Sequence, residues 1–206
     1  MATTVDKLAS QAKYFVGFNE ENGGHEVIID LYNQYRFFGC GYYMKYTGEW
    51  CAAFVSACAI KCKATDIIPV ECHCNHMISS FKNLGVWIEN ESIIPEIGDI
   101  VFYDWDDDCN GDNVGSSDHV GIVEEIDYEL EKFTVIEGNY RKAVQRRTLD
   151  FNNKCLRGFA RPNYTDKNTT NIDIMNIKLK SFINKFITFA HRVFKKVNSI
   201  NREDVV

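Results

Sequence analysis

The stretch Gly48-Glu49-Trp50-Cys51-Ala52-Ala53-Phe54-Val55-Ser56 does most to limit the folds open to this chain. From about Trp50 to Cys62 the sequence is alanine-rich and apolar nearly all round. Alanine favours a helix, and a helix without a polar stripe has to be covered on every side. The rest of the chain must therefore wrap this segment. Upstream, Leu8, Ala12, Phe15 and Val16 fall at spacings of 4, 3 and 1, and Val27, Ile28, Leu31 and Tyr35 form a second stripe. Val5 to Tyr35 thus reads as helical with a break at Gly23-Gly24. An aromatic loop from Tyr35 to Tyr46, punctuated by Gly39, Gly41 and Gly48, leads into the central helix.

Downstream the pattern changes. An irregular link through Pro69 leads to a short helix, Asn75 to Asn83. Pro95-Glu96-Ile97-Gly98-Asp99 is a turn that launches a strand, Ile100 to Trp105. A polar acidic loop, Asp104 to Ser117, follows. Strands are then expected at His119 to Ile126 and Phe133 to Asn139, joined by a charged hairpin, with Val144 to Leu149 and Gly158 to Arg161 completing the sheet. Helices first and consecutive strands afterwards argue for an α+β domain rather than a parallel α/β sheet.

Residues 1–165 carry 15 Lys/Arg and 25 Asp/Glu, net −10, whereas residues 166–206 carry 8 and 4, net +4. An acidic body sets nucleic-acid binding aside. The organisation expected is a catalytic-type domain over 1–163, a polar linker over 164–171, and a basic amphipathic helix and tail over 172–206. Met175, Leu179, Phe182, Phe186, Phe189, Val193 and Val197 supply the apolar face of that helix, and Lys178, Lys180, Lys185, Arg192, Lys195 and Lys196 the polar one. Three placements stay open for it: packed on the domain, on the anionic envelope or membrane, or against a partner helix. Met1 to Asp6 lacks the basic and apolar regions of a secretory leader. Most of the eight cysteines are therefore expected to be free thiols of a protein made in the cytoplasm.

Cys51 stands where the central helix begins. A free thiol has a pKa of about 8.5, and the unpaired N–H groups of a helix N-terminus lower it and can also hold an oxyanion. Against this stands the plain alternative of one more buried cysteine. His119 opens a strand beside a small Gly121, a rigid place for a base; His25, His73, His76 and His191 do not lie at such an edge. If paired residue numbers across the hairpin sum to 258, His119 lies opposite Asn139, with Glu137 on the same face. An odd sum would put Glu137 and Asn139 on the other face.

Trp50-Cys51-Ala52-Ala53-Phe54-Val55, Gly98-Asp99-Ile100-Val101, His119-Val120-Gly121-Ile122-Val123 and Glu137-Gly138-Asn139, in that order, resemble a CHAP domain, the cysteine- and histidine-dependent amidohydrolase/peptidase. The resemblance covers roughly Val5 to Asn163. It implies a papain-like fold, a bacterial setting such as a phage lysin, and peptidoglycan as substrate, cut at a peptide bond or at the amide joining muramic acid to the stem. Carried over residue by residue, it makes Cys51 the nucleophile and His119 the base. Glu137 becomes the group that orients the imidazole, and Asn139 a polar neighbour of the histidine. The second oxyanion donor stays open between Tyr46 and a backbone amide. Release from the cytoplasm to the wall is then needed. Two other readings remain: the same machinery on a non-wall amide or a protein, and a wall-binding module without turnover.

No cofactor or metal is expected. Asp106-x-Asp108-x-Asn110-Gly111 opens like a calcium loop, but its twelfth position is Ser117 rather than Glu. Cys72, His73, Cys74 and His76 crowd together with Cys62 upstream, in C-x-C rather than C-x2-C spacing. A solvated loop and reduced cysteines are the plainer readings.

Overall fold

The computed structural model describes residues 3–90, 92–105, 109–111 and 114–164. Met1–Tyr164 is the first of two units into which the chain divides. The expected linker beyond Tyr164 and the basic helix of 172–206 lie outside the described residues.

The elements in chain order are α1 (Thr4–Phe15), α2 (Gly24–Tyr35), α3 (Cys51–Cys62), α4 (Cys74–Asn83), β1 (Trp87–Ile88), β2 (Ile100–Tyr103), β3 (His119–Asp127), β4 (Lys132–Tyr140), β5 (Ala143–Asp150) and β6 (Leu156–Ala160). The strands form one antiparallel sheet in the order β1-β6-β2-β3-β4-β5. This is the α+β class expected from helices followed by strands.

Every residue of α3 from Cys51 to Ile60 is buried. Its covering is the reason for the architecture. α1 turns Leu8, Ala12 and Phe15 inward, and its start is fixed by a capping box between Thr3 and Asp6. α2 packs on α3 from another side, and β3 and β4 form the floor. The buried face of α2 is Ile28, Ile29 and Tyr32, not the expected stripe: Val27 and Tyr35 are exposed. Asn33 explains the rotation. Its amide donates to the Met44 carbonyl and accepts from the Met44 N–H, at 3.0 and 2.9 Å, a pairing that needs this face turned inward.

The sheet has two buried faces because its strands alternate. Ile100, Phe102, Val120, Ile122 and Ile136 face the helices. Val101, Tyr103, Val123, Phe133, Val135 and Phe159 form a smaller core on the other side. β2 stops at Tyr103 rather than Trp105, because Asp104 N–H turns to the Cys155 carbonyl and Trp105 N–H to the Asp118 carboxylate. The two-residue edge strand β1 is too short for a sequence pattern to announce.

Cys109 and Cys155, 46 residues apart, form a disulfide, so these two depart from the expected free thiols, while six other cysteines are free. Chain spacing gives no sign of this pair; β6 brings Cys155 beside the loop after β2. Among the described residues no helix is long and apolar enough to cross a membrane.

Candidate active site

Cys51 is the first residue of α3. Trp50 before it makes no side-chain cap, so no side chain of the cap occupies the helix's first N–H groups. Cys74, at the start of α4, places its Sγ 3.7 Å from that of Cys51, and both thiols are buried. The Cys51 thiol is pulled below its ordinary range. The hydrogen bond from Cys74 is the main cause. Burial opposes it, and a hydrogen bond and charge from His119, with the Ala52 N–H, add to it. Cys74 is pushed well up by the same hydrogen bond, by burial and by the Cys51 charge. The pair therefore reads as a Cys51 thiolate accepting an S–H from Cys74.

His119 opens β3, 5% exposed, with its ring stacked on Trp105 at 4.8 Å and tilted against Tyr103 at 5.6 Å. Its backbone is anchored too. Ser117 Oγ donates to the His119 carbonyl, and Ser117 N–H donates to the Asn75 side chain on α4. Asp118 N–H bonds the Tyr103 carbonyl, while its carboxylate takes the Trp105 N–H. The imidazole is thus held by an aromatic wall that the neighbouring backbone fixes.

Near the site the β3–β4 register has the even sum on which the shared face depends: Gly121 pairs with Glu137, Ile122 with Ile136 and Val123 with Val135. Glu137 therefore shares a face with His119, and its Oε1 lies 3.9 Å from His119 Nε2. That is beyond a hydrogen bond. Gly121 is what lets the carboxylate cross β3, because a Cβ there would lie 2.7 Å from Glu137 Cγ and 2.5 Å from Val135. Past Val123 a bulge shifts the sum to 259, seen at Glu125–Thr134.

Glu137 is fully buried, and Arg147 on β5 forms an ion pair with it. The guanidinium donates through Nε to Oε2 at 2.5 Å and through Nη2 to Oε1 at 2.7 Å. Arg147 is itself covered by Tyr140 at 4.4 Å and Tyr103 at 4.9 Å. The expected acceptance from the imidazole is thus replaced by a fork to arginine, because a carboxylate buried in a sheet needs a cation beside it.

Asn139 does not take the place opposite His119. The last pair of that ladder is Gly121–Glu137, Asn139 adopts φ +60°, and its amide donates to the Glu49 carboxylate. Glu49 is exposed. Tyr46 is committed elsewhere: its hydroxyl donates to Asp30 and its carbonyl faces His25 Nε2. Arg147 and Cys74 are the two groups that the residue pattern left unassigned.

A cleft of about 540 Å³ runs between the segment Tyr42 to Glu49, which leads into Cys51, and the residues Cys72, His73 and His76. The five-residue cluster considered for zinc does not assemble. Cys74 belongs with Cys51, and Cys62 lines a separate cleft with Lys7 and Gln11. The calcium-loop reading falls on Asp106 to Asp108, outside the described residues, and Ser117 is occupied with His119 and Asn75.

The family model described as CHAP domain matches residues 41–139, a span that runs from the segment before Cys51 to Asn139. No curated protein and no solved structure matches the chain.

Proposed function

Because residues 41–139 belong to the CHAP domain family, which makes this a hydrolase of the cysteine- and histidine-dependent amidohydrolase/peptidase type on a papain-like fold, we propose that its substrate is bacterial peptidoglycan and that Cys51 cuts an amide or peptide bond there through a thioester. The observation that carries this reading is the Cys51 thiol at the start of α3, favoured as thiolate and lying beside His119.

In this reading Cys51 Sγ attacks the carbonyl carbon. The first N–H groups of α3 receive the negative charge that develops on the carbonyl oxygen. His119 takes the Cys51 thiol proton and gives it to the departing amine, then takes one from the water that opens the thioester and returns it to Cys51 Sγ as the acid leaves. Its Nε2 faces Glu137, so the nitrogen left for this exchange is Nδ1. Glu137 acts as a positioning residue, holding negative potential behind the ring while Arg147 keeps the carboxylate itself in place. Asn139 and Glu49 tie the end of β4 to the segment before Cys51, one wall of the cleft. The enzyme acts at the cell wall, having been made in the cytoplasm and released.

Mass spectrometry of purified walls incubated with wild type and with Cys51→Ala tests this. New fragments with wild type alone are expected, and their termini name the bond. Intact walls of several cross-link types together with cleaved casein would move the same chemistry to a protein substrate. Wall binding without fragments from either protein would make the domain a binding module.

A further inference from the structure

A second sulfur pair lies on the far wall of the cleft. Cys40 follows the turn after α2, and Cys72 precedes α4; their Sγ atoms are 3.7 Å apart although 32 residues separate them. Two thiolates on one tetrahedral zinc, each about 2.3 Å from the ion, sit about 3.8 Å from each other. Cys40 Sγ, a carboxylate oxygen of Glu71 and a ring nitrogen of His76 also lie within 4.8 Å of one another. Cys40 thus stands between two groupings: Cys72 lies 3.7 Å from it, and Glu71 and His76 lie within 4.8 Å of it and of each other, so residue 40 meets the stretch 71–76.

Glu71 provides the independent sign of a ligand. It is 6% exposed, and its Oε2 has no hydrogen-bond partner among the described residues. Its other oxygen takes only a 3.4 Å contact from Ser80. The backbone of Glu71 is fixed: its N–H donates to Ser56 Oγ at 2.8 Å, and the same hydroxyl donates to its carbonyl at 2.6 Å. A buried carboxylate oxygen without a partner is costly unless a cation takes it. Lysines and arginines answer that need elsewhere in this molecule, as Arg147 does for Glu137. Here the Cys40 sulfur and a His76 ring nitrogen lie within 4.8 Å of a Glu71 carboxylate oxygen instead.

The two stretches of chain approach as closely as backbone allows. Gly39 lies so close to Val70 that a Cβ there would stand 1.7 Å from the Val70 carbonyl oxygen. The Tyr32 hydroxyl donates to the Tyr42 carbonyl at 3.0 Å and lies 3.3 Å from Cys40 Sγ, which ties the loop carrying Cys40 to α2.

We infer that Cys40, Glu71, Cys72 and His76 bind a zinc ion or a similar thiophilic divalent cation. Thiolate and imidazole donors select zinc over calcium or magnesium. With all four positions filled by protein the ion clamps rather than catalyses. It joins the loop after α2 to the stretch 71–76, and so sets the width of the cleft that Cys40, Cys72 and His76 line.

The test is a cobalt(II) titration of the full chain with its Cys109–Cys155 disulfide intact, carrying Cys51→Ala, which removes the thiol most favoured as thiolate. One equivalent is expected, with thiolate-to-cobalt charge-transfer and tetrahedral d–d absorption, displaced by zinc. Adding Cys40→Ser and Cys72→Ser removes the charge-transfer band. His76→Ala, a change at an exposed residue, keeps that band and weakens affinity by about tenfold or more, since losing even an outer partner of a ligand costs 10–100-fold. Absence of the band, or a band indifferent to Cys40 and Cys72, overturns the inference. So does a Cys40–Cys72 disulfide recovered by non-reducing peptide mapping of the protein as purified.

Discussion

At the scale of single residues, the reactivity proposed for Cys51 rests on a neighbour that looks inert in the sequence. Cys74 is buried against Cys51, and its S–H is the largest contribution holding the thiolate form. A hydrogen bond to a charged group is worth about 1.5–3 kcal/mol, and 1.36 kcal/mol corresponds to one pH unit. Cys74→Ala should therefore move the midpoint of Cys51 alkylation by iodoacetamide upward by about one pH unit or more. The sign follows from the thiolate being the reactive form: as pH falls through the Cys51 value, reactivity is lost, and without its donor that loss starts at higher pH. Cys74→Ser keeps a donor and should restore the low midpoint. An unchanged profile in Cys74→Ala would remove Cys74 from the site. Cys51 and His119 are legible as candidates because each sits at the start of an element, Cys51 of α3 and His119 of β3. Cys74 is not, because its C-x-C neighbourhood suggests a metal and only the docking of α4 beside α3 brings it to Cys51.

At the scale of elements, the hairpin decides which charges meet. The even register near Gly121 puts Glu137 on the His119 face, and one residue of slip would have sent it toward the helices. The sequence placed the candidates at one end of one hairpin but left that parity open. It also could not separate Arg146 from Arg147. On β5 they point to opposite faces, so Arg146 pairs with Glu124 and Arg147 with Glu137. Position on an alternating strand is everything here, and neighbouring arginines look alike until the register is known. The consequence is measurable. Arg147→Met leaves the fully buried Glu137 charge without its partner, and should cost about 3–5 kcal/mol in urea unfolding. Adding Glu137→Gln should return much of that loss, because the uncompensated charge is gone. A single-variant cost below about 1 kcal/mol would mean that the pair behaves like a surface ion pair. The double variant should still leave His119 without the negative potential behind its ring, so stability recovers further than turnover does.

At the scale of the whole molecule, the site lies wholly within Met1–Tyr164, whereas the excess of positive charge lies beyond it. The first 165 residues carry net −10 and residues 166–206 net +4. Walls rich in anionic polymers repel the first and attract the second, over a distance of about 10 Å at 0.1 M salt. This predicts a division of labour between chemistry and targeting. A chain ending at Tyr164 should turn over a soluble muropeptide at the wild-type rate, yet sediment less with intact walls at low ionic strength. The difference should shrink as salt is raised, because screening removes repulsion and attraction alike. A second variant with Lys178, Lys180, Lys185, Lys195 and Lys196 changed to Gln keeps the length and the apolar residues, and should behave like the truncation. If it binds walls as wild type does while the truncated chain does not, the apolar residues between Met175 and Val197 carry the targeting. Equal wall affinity of both variants and wild type would leave the tail no part in it. The soluble substrate separates these outcomes from a failure of the site, since it asks only whether Cys51 and His119 still meet.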